Sequence, residues 1–431
     1  MPTTCSKRWP RSSPRRRSDA VFLLLLISLG LLTPQPSSNA TANDTDPVDL
    51  AIGDPARKER RIAVGVDRII ETRDGTELTP ADLVARLAKT RLLLIGETHT
   101  SRECHRVQRQ VIDALQRAGR PVVIALEMYP YTQQAWLDRW SRPGASDPAL
   151  TEEAFVRGSA WYEHWTFHWL LYRDIFVLAR DRQLPMIAVN APRDVVSAVR
   201  KKGFANLTPE EARHIPTKVD VDSADHLTLF KAYFGSDDAM HSGGMSEAAW
   251  RDMLSAQATW DATMGFNAAQ AWKAANDPRA IVVILAGSGH VAYGLGIERQ
   301  VRREFEGEVM TLAPIAVEGG KASLQVRASY ANILWGVPAE PALAYPMLGV
   351  STIVRKGETG AGLQVIAVDD KSPAGLAGVL TGDVLLAFDG QALTTKEIMN
   401  RLVAGKDWGD VADLRLRRGT DERTLRVTFR R

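Results

Sequence analysis

The sequence predicts an α/β fold, with a mostly parallel sheet and helices on both faces, followed by a small C-terminal β-rich domain. Two apolar runs lead to this prediction, Leu92–Thr100 (LLLIGETHT) and Ile281–His290 (IVVILAGSGH). Each run is too short for a core helix and is bounded by glycine, which is typical of a buried strand in a parallel sheet. Strands and helices then alternate over about 250 residues, and such alternation covers both faces of the sheet.

The other elements follow in order along the chain. Ile62–Ile70 is predicted to be a strand, and Thr79–Lys89 a helix that Thr79 caps and Pro80 begins. Further helices are predicted at Arg102–Ala118, Pro192–Lys202, Ser246–Ala275 and Ile297–Phe305. Further strands are predicted at Pro121–Met128, Pro185–Asn190 and Met310–Val317. Residues 129–183 are predicted to be helical and are rich in aromatic side chains.

Residues 1–42 are predicted to be a Sec-type signal peptide, because basic residues precede the apolar run Val21–Leu32 and small residues follow it. Six basic residues and one acidic residue lie in this segment, so the formal net charge changes from +3 to −2 without it. No nucleic-acid partner is therefore expected. No cysteine stands just after the apolar run, where a lipid-modified amino terminus would need one, so we expect a periplasmic or secreted protein and not a lipoprotein.

A chain of 431 residues, 45% of them hydrophobic, is long enough for two domains. A flexible lead-in is predicted at 43–61 and the α/β domain at 62–335. Gly336–Pro346 contains three prolines and is predicted to be the linker. The second domain, 347–431, has short strand-like runs and one helix, at Leu363–Asp369, Asp383–Asp389, Thr395–Ala404, Ala412–Arg417 and Arg423–Arg430.

The apolar runs Leu92–Thr100 and Ile281–His290 both contain Gly-x-x-His at the end of the predicted strand, and the histidines are His99 and His290. Ligands of open α/β sheets bind at the carboxyl ends of the strands, so these two imidazoles can meet at one site. Glu97 and Glu127 bring carboxylates to the same edge. Such a set can bind a divalent metal such as Mn, Co or Zn, or the two carboxylates can act in acid–base catalysis on bound water. Alternatively, each histidine only fixes its own loop by hydrogen bonds.

Three further features are candidates for lining this site. His105 lies in the first turn of a helix, where a neutral ring is favoured; it is either a ligand or a surface residue. Asp261 shares a helix face with Gln257, which makes the two either site residues or a buried hydrogen-bonded pair. The stripe Trp161, Trp165, Trp169 and Tyr172 is either core or a wall for a flat macrocycle.

Five motifs resemble the ChaN-type haem-binding proteins, bacterial envelope proteins linked to iron acquisition and grouped with Tiki, TraB and erythromycin esterases. They are GETHTSRECH (96–105), LEM (126–128), NAPR (190–193), AQATWDATM (256–264) and AGSGHVAYGLGI (286–297). The resemblance covers residues 85–320. It implies a mixed α/β core with haem near a subunit interface and iron ligated by a tyrosine. The chain departs from the lipoprotein members, because no cysteine stands just after the apolar run, where the lipid would be attached.

The resemblance leaves the tyrosine open among Tyr129, Tyr162, Tyr172 and Tyr293. The haem-site candidates are His99, His105, Tyr162, Tyr172 and His290. The metal-site candidates are His99, His290, Glu97, Glu127 and Asp261.

The tail resembles a bacterial PDZ domain. Met347–Val350 (MLGV) is similar to its carboxylate-binding loop, and SPAGLAGVLTGDVLLAFDGQAL (372–393) is similar to its core signature. The resemblance implies that an extended peptide pairs with the strand after Gly349, with its terminal carboxylate held by backbone amides around Leu348, Gly349 and Val350. The alternative is a scaffold that binds no peptide.

The leading hypothesis is a periplasmic ChaN-like protein for haem binding and iron uptake, which forms a homodimer around haem. Its PDZ module recruits a protein or peptide with a free carboxyl terminus. The first alternative is a metal-dependent hydrolase, a Tiki- or TraB-like peptidase or esterase that uses the paired histidines. The second is an adaptor whose site has decayed.

Overall fold

The computed structural model describes residues 46–144, 150–235, 246–355 and 362–430. The predicted signal peptide at 1–42 lies outside the described residues. Over the described ranges, the structure contains no helix with the length and apolar character that a membrane span requires.

The described part of the α/β domain contains ten strands. They are β1 (Arg61–Val64), β2 (Ile69–Glu71), β3 (Glu77–Leu78), β4 (Thr90–Glu97), β5 (Val122–Pro130), β6 (Met186–Asn190), β7 (Ile281–Gly287), β8 (Glu308–Val317), β9 (Leu324–Arg327) and β10 (Ile333–Pro338). Eight of them form one sheet in the order β3-β2-β10-β8-β4-β7-β5-β6, and β1 pairs separately with β9. The six strands from β10 to β6 are parallel, whereas β2 and β3 are antiparallel additions at one edge. The predicted mostly parallel sheet is confirmed.

Twelve helices belong to the described part of this domain. They are α1 (Pro80–Arg86), α2 (Arg102–Arg117), α3 (Gln134–Ser141), α4 (Glu152–Gly158), α5 (Trp161–His164), α6 (Trp169–Asp181), α7 (Arg193–Lys202), α8 (Pro209–Ala212), α9 (Ala224–Gly235), α10 (Glu247–Ala275), α11 (Ser288–Val291) and α12 (Ile297–Val301). Side chains of a strand alternate between the faces of a sheet. Accordingly, Leu93 and Ile95 of β4 pack in the core that contains α2 and α6, while Leu92 and Leu94 pack in the core that contains α10 and α12.

The structure differs from the predicted boundaries in three places. Ile62–Ile70 is not one strand, because the chain turns between β1 and β2, where Asp67 has a φ of 60°. The described part of the predicted flexible lead-in is packed, with Leu50 and Ile52 buried in the core. Strand β10 continues through Pro338, so the first residues of the predicted linker belong to the sheet.

The C-terminal domain is, over its described residues, an antiparallel β structure with two short helices. Its elements are β11 (Val350–Arg355), β12 (Gly362–Val368), α13 (Pro373–Leu376), β13 (Val384–Phe388), β14 (Gln391–Ala392), α14 (Lys396–Ala404), β15 (Val411–Arg418) and β16 (Asp421–Thr428). The strand order is β11-β12-β13-β15-β16, and β14 pairs with β13. This order leaves β11 at an edge, as strand addition by a peptide requires.

Candidate functional site

Strands β4, β5 and β7 bring the predicted residues to one edge of the sheet. β4 and β7 are parallel neighbours, and Glu97 at the end of β4 pairs in register with Gly287 at the end of β7. β5 is the next neighbour of β7 and carries Glu127 near its end. His99 follows β4, and His290 lies in α11 directly after β7. The structure thus brings the two Gly-x-x-His turns together.

Glu97 is a buried carboxylate that accepts hydrogen bonds from its neighbours. The Tyr172 hydroxyl donates to its Oε1 at 2.5 Å and the Gln108 amide donates to its Oε2 at 2.6 Å. The Nδ1 atoms of His99 and His105 lie 2.8 and 3.6 Å from the carboxylate. Burial alone would raise the pKa of Glu97, but His105, His99 and the Tyr172 hydroxyl lower it to about 2. Glu97 is therefore ionised at neutral pH.

The His99 imidazole is held on three sides. Its Nδ1 faces Glu97, and the opposite side of the ring rests on Gly287, where a Cβ would lie 2.8 Å from Cε1 and 3.0 Å from Nε2. The rings of Trp165 and Phe167 each lie 4.8 Å from it, centroid to centroid. Within the described residues, Nε2 has no hydrogen-bond partner. This unpaired nitrogen lies on the side of the ring that rests on Gly287.

His290 lies between two carboxylates. Its Nδ1 is 2.6 Å from Asp261 and its Nε2 is 3.3 Å from Glu127, while the Gln257 amide lies 2.9 Å from Nδ1. Burial lowers the pKa of His290, but Glu127 and Asp261 outweigh burial and raise it to about 10. The second oxygen of Glu127 accepts a hydrogen bond from the backbone N–H of Gly287 at 2.7 Å. His290 is thus an imidazolium at neutral pH with both ring nitrogens engaged.

His226 of α9 extends the cluster and was missed by the sequence analysis. Its Nε2 lies 3.7 Å from Oδ2 of Asp261, and both side chains are buried. Neither atom has a hydrogen-bond partner among the described residues. Burial lowers the pKa of His226, although Asp261 acts in the opposite direction. No strand end or motif precedes His226 in the sequence, so no sequence signal could have selected it.

The four tyrosines considered as iron ligands are all buried, and their hydroxyls are engaged. Their partners are Glu97 for Tyr172, the Trp169 backbone N–H for Tyr162, Ser159 for Tyr129, and the backbones of Pro47 and Leu50 for Tyr293. Burial raises the pKa of each phenol. None of these four hydroxyls is presented as an accessible phenolate.

His105 also uses both ring nitrogens, toward the Gln108 amide at 3.1 Å and the His99 carbonyl at 3.2 Å. Across 46–144, 150–235, 246–355 and 362–430, no group of three or more His, Cys, Asp or Glu residues is arranged to hold a metal ion. Most of the predicted residues, together with His226, instead form a buried acid–base cluster, here called the strand-end cluster. Its members are Glu97, His99, His105, Glu127, Tyr172, His226, Asp261 and His290.

A second candidate site is a cavity of about 420 Å³ between α10, α12 and the loop that follows α8. Its volume is typical of small-molecule pockets. Phe266 and Lys273 of α10 line it, whereas Gln257 of the same helix contacts His290. The cavity is therefore separate from the strand-end cluster.

Tyr131 and His214 form a pair on the wall of this cavity. The Tyr131 hydroxyl hydrogen-bonds with Nδ1 of His214, and Nε2 of His214 lies 3.6 Å from Glu210. Burial raises the pKa of Tyr131, but Tyr131 is only half-buried, unlike the four tyrosines above. The pair was not predicted from the sequence, although one signal was present, because Tyr131 directly follows strand β5.

Cationic side chains outnumber carboxylates on the cavity wall, where Arg213, Lys218, Lys273 and Arg303 face Glu304. Lys218 and Lys273 have no ion pair in the part of the chain that the structure describes. Phe266 adds a large apolar surface and is 43% exposed. This combination suits an anionic ligand with a flat apolar body.

The C-terminal domain has a loop and an edge strand suited to a peptide terminus. Gly349 has a φ of +78°, and a Cβ there would lie 2.0 Å from Cβ of Ser372, so only glycine fits. Leu348 is buried in the domain core, and Val350 begins the edge strand β11. These positions are the three selected from the sequence.

Two family profiles match the chain. Residues 83–301 match the family described as haem-binding uptake, Tiki superfamily, ChaN. Residues 346–429 match the PDZ domain. No curated protein matches the chain.

Three solved structures illustrate what the chain is similar to. ChaN of Campylobacter jejuni with cofacial haem is 16% identical over 62% of this chain and 95% of that chain, with a TM-score of 0.48. The HtrA3 PDZ domain with a phage-derived ligand is 19% identical over 19% of this chain and 82% of that chain, with a TM-score of 0.18. The PDZ domain of EpsC from Vibrio cholerae is 20% identical over 19% of this chain and 95% of that chain, with a TM-score of 0.16.

Proposed function

Because this chain belongs to the ChaN family of haem-binding uptake proteins in the Tiki superfamily, we propose that it binds haem in the cavity beside α10. The single observation that carries the proposal is the Tyr131–His214 pair on the wall of a cationic cavity. When bound, haem would supply a ferric iron, for which tyrosine is a known axial ligand.

The residues around the cavity fit the three chemical parts of haem. Phe266 supplies apolar surface for the macrocycle. Lys218 and Lys273 are cations that can pair with the two propionates. His214 can accept the proton that the Tyr131 phenol gives up when its oxygen becomes a ligand. Together these side chains would bind and orient the group.

The strand-end cluster fits haem less well. His105 and His290 have both ring nitrogens engaged. The ring of His99 is enclosed by Trp165, Phe167 and Gly287. We therefore place the haem at Tyr131, while His99, His105, Tyr162, Tyr172 and His290 stay sequence-based predictions.

A haemin titration of the purified protein tests this proposal. The wild type is expected to show a saturable Soret shift that is lost in Tyr131→Phe. Tyr162→Phe and His99→Ala are the matched controls and should keep it. If Tyr131→Phe bound haemin as the wild type does, Tyr131 would not be the ligand.

The metal-dependent hydrolase stays a prediction from the sequence. The paired histidines do lie in one cluster, but its carboxylates bind the imidazoles themselves. Mn, Co or Zn that is bound to the purified wild type and lost in His99→Ala would favour this alternative.

We also propose that the PDZ domain binds a protein or peptide with a free carboxyl terminus. Support comes from the edge position of β11 and from Gly349 in the preceding loop. A peptide with a free terminal carboxylate should bind, and its amidated form should not. Equal binding of both forms would contradict the proposal.

Export to the periplasm, a role in iron uptake and a homodimer around haem complete the proposal. Residues 1–42 have the order of a signal peptide. Cell fractionation should find the protein in the periplasm with a shortened amino terminus. Sedimentation should show a dimer that depends on haemin.

A further inference from the structure

We infer that a carboxyl-terminal peptide bound to the PDZ domain changes the environment of His99, so that a partner protein regulates the strand-end cluster. The inference rests on the peptide-binding part of the proposed function and is independent of haem. The PDZ domain contacts the α/β domain through α14, which packs against α5 and the residues after α5.

Helix α14 docks on the α/β domain along one stripe. The Asn400 amide donates to the carbonyl of Tyr162 at 3.1 Å, and Nε2 of His168 donates to the carbonyl of Ala404 at 2.9 Å. Asn400 and Ala404 are four residues apart and therefore lie on the same face of the helix. Lys396 continues this stripe by one more turn, near Arg193. A different face of the helix, with Met399, packs in the core of the PDZ domain.

His168 joins three parts of the chain at this interface. Its Nδ1 accepts the backbone N–H of Leu170 and so caps α6, while its Nε2 holds the end of α14. Its ring stacks on Tyr345, which precedes the PDZ domain, with centroids 3.9 Å apart and planes 9° apart. Arg102 lies in the first turn of the helix that follows the His99 loop. Its guanidinium carbon lies 5.0 Å from the centroid of the Tyr345 ring.

The segment that receives α14 also forms the wall around His99. Tyr162 and His168 contact the PDZ domain. Trp165 and Phe167, between them in sequence, each lie 4.8 Å from the His99 ring. The seven-residue stretch from Tyr162 to His168 is therefore shared by the PDZ interface and the strand-end cluster.

We expect occupation of the peptide groove to act on this stretch through α14. β11 is an edge strand and α14 is in contact with it, so a strand added at that edge meets α14 as its next neighbour. None of the nine residues of α14 is exposed. Because packed interiors have few voids, a displaced α14 has to move its neighbours, which are Tyr162 and His168.

The test uses the purified full chain and a pool of hexapeptides with free carboxylates and varied last three residues. The tightest binder and its amidated form are titrated into protein labelled at histidine. The His99 resonance is identified as the one lost in His99→Gln. We expect it to shift with the free-carboxylate peptide, to saturate together with binding, and to stay unchanged with the amidated form.

Asn400→Ala tests the route, with Asn206→Ala as a control at an exposed site away from the interface. Asn400→Ala should still bind the peptide but show a smaller His99 shift, while Asn206→Ala should match the wild type. Peptide binding without any His99 shift would overturn the inference, as would a full shift in Asn400→Ala. If no free-carboxylate peptide binds, the peptide-binding proposal itself fails and the inference falls with it.

Discussion

The strand-end cluster places ionised groups where burial alone would neutralise them. Burial would raise the pKa of Glu97 and lower that of His290, yet the neighbours reverse both shifts, to about 2 and about 10. Buried charges are tolerated only when they are paired and hydrogen-bonded. Each charge therefore depends on its partners, and removing one partner leaves the other buried without compensation.

Glu97→Gln should lower the free energy of unfolding at pH 7 by about 3 to 5 kcal/mol, the usual loss when one partner of a buried ion pair is removed. The wild type is more stable than Glu97→Gln by this full amount above the ordinary glutamate pKa. The difference in unfolding free energy is lost as the pH falls toward 2, because the folded-state pKa of Glu97 is lowered. Denaturant unfolding at several pH values measures this, with the exposed Glu59→Gln as control. A difference that does not change with pH would contradict the account.

At the scale of elements, the ends of β4 and β7 depend on close contact between a glycine and a ring. Both strands and both Gly-x-x-His turns were predictable, because a short apolar run bounded by glycine has few alternatives. The tight packing of His99 on Gly287 was not predictable, since it depends on the register of two strands that are far apart in sequence.

Gly287→Ala should displace the His99 ring, because the new Cβ would lie 2.8 Å from Cε1. We expect a loss of about 1 to 3 kcal/mol in unfolding free energy, as in overpacked cores, and a changed His99 resonance. Gly289→Ala is the matched control, since its nearest atom outside the helix is 3.9 Å away. Equal effects of both substitutions would show that the contact with His99 is unimportant.

The cavity beside α10 shows what the sequence could not reveal. Tyr131 follows β5, but its partner His214 comes from an irregular span 83 residues later. Likewise, His226 reaches Asp261 only because α9 packs on α10. Neither pairing follows from periodicity or a motif, because both arise from tertiary packing of segments without a strong local pattern.

Lys396 in α14 is a charge held against the α/β domain. Burial, and then Arg193, lower the pKa of Lys396 from the ordinary 10.5 to about 8. The charged side chain therefore destabilises the folded state fully below pH 8. This destabilisation decreases as the pH rises from 8 toward 10.5. Lys396→Met should therefore raise the unfolding free energy at pH 7 by about 1 to 3 kcal/mol. Unfolding experiments at pH 7 and pH 10 measure this, with the exposed Lys371→Met as control. A gain that is as large at pH 10 would contradict the burial argument.

At the scale of the whole molecule, the family likeness and the fold were predictable from motif order, and the profile match over residues 83–301 confirms the resemblance. The docking of the PDZ domain was not. The proline-rich stretch suggested a loose linker, yet β10 extends into it, and Tyr345 at its end stacks on His168. The PDZ domain and the residue that precedes it therefore pack against His168 of the α/β domain.

The most direct test of the central claim is an anomalous difference map, recorded at the iron absorption edge from crystals of the protein with haemin. If Tyr131 is the iron ligand, the map will show an iron peak in the cavity beside α10, next to the hydroxyl of Tyr131. An iron peak beside His99 in the strand-end cluster, with none in the cavity, would contradict it.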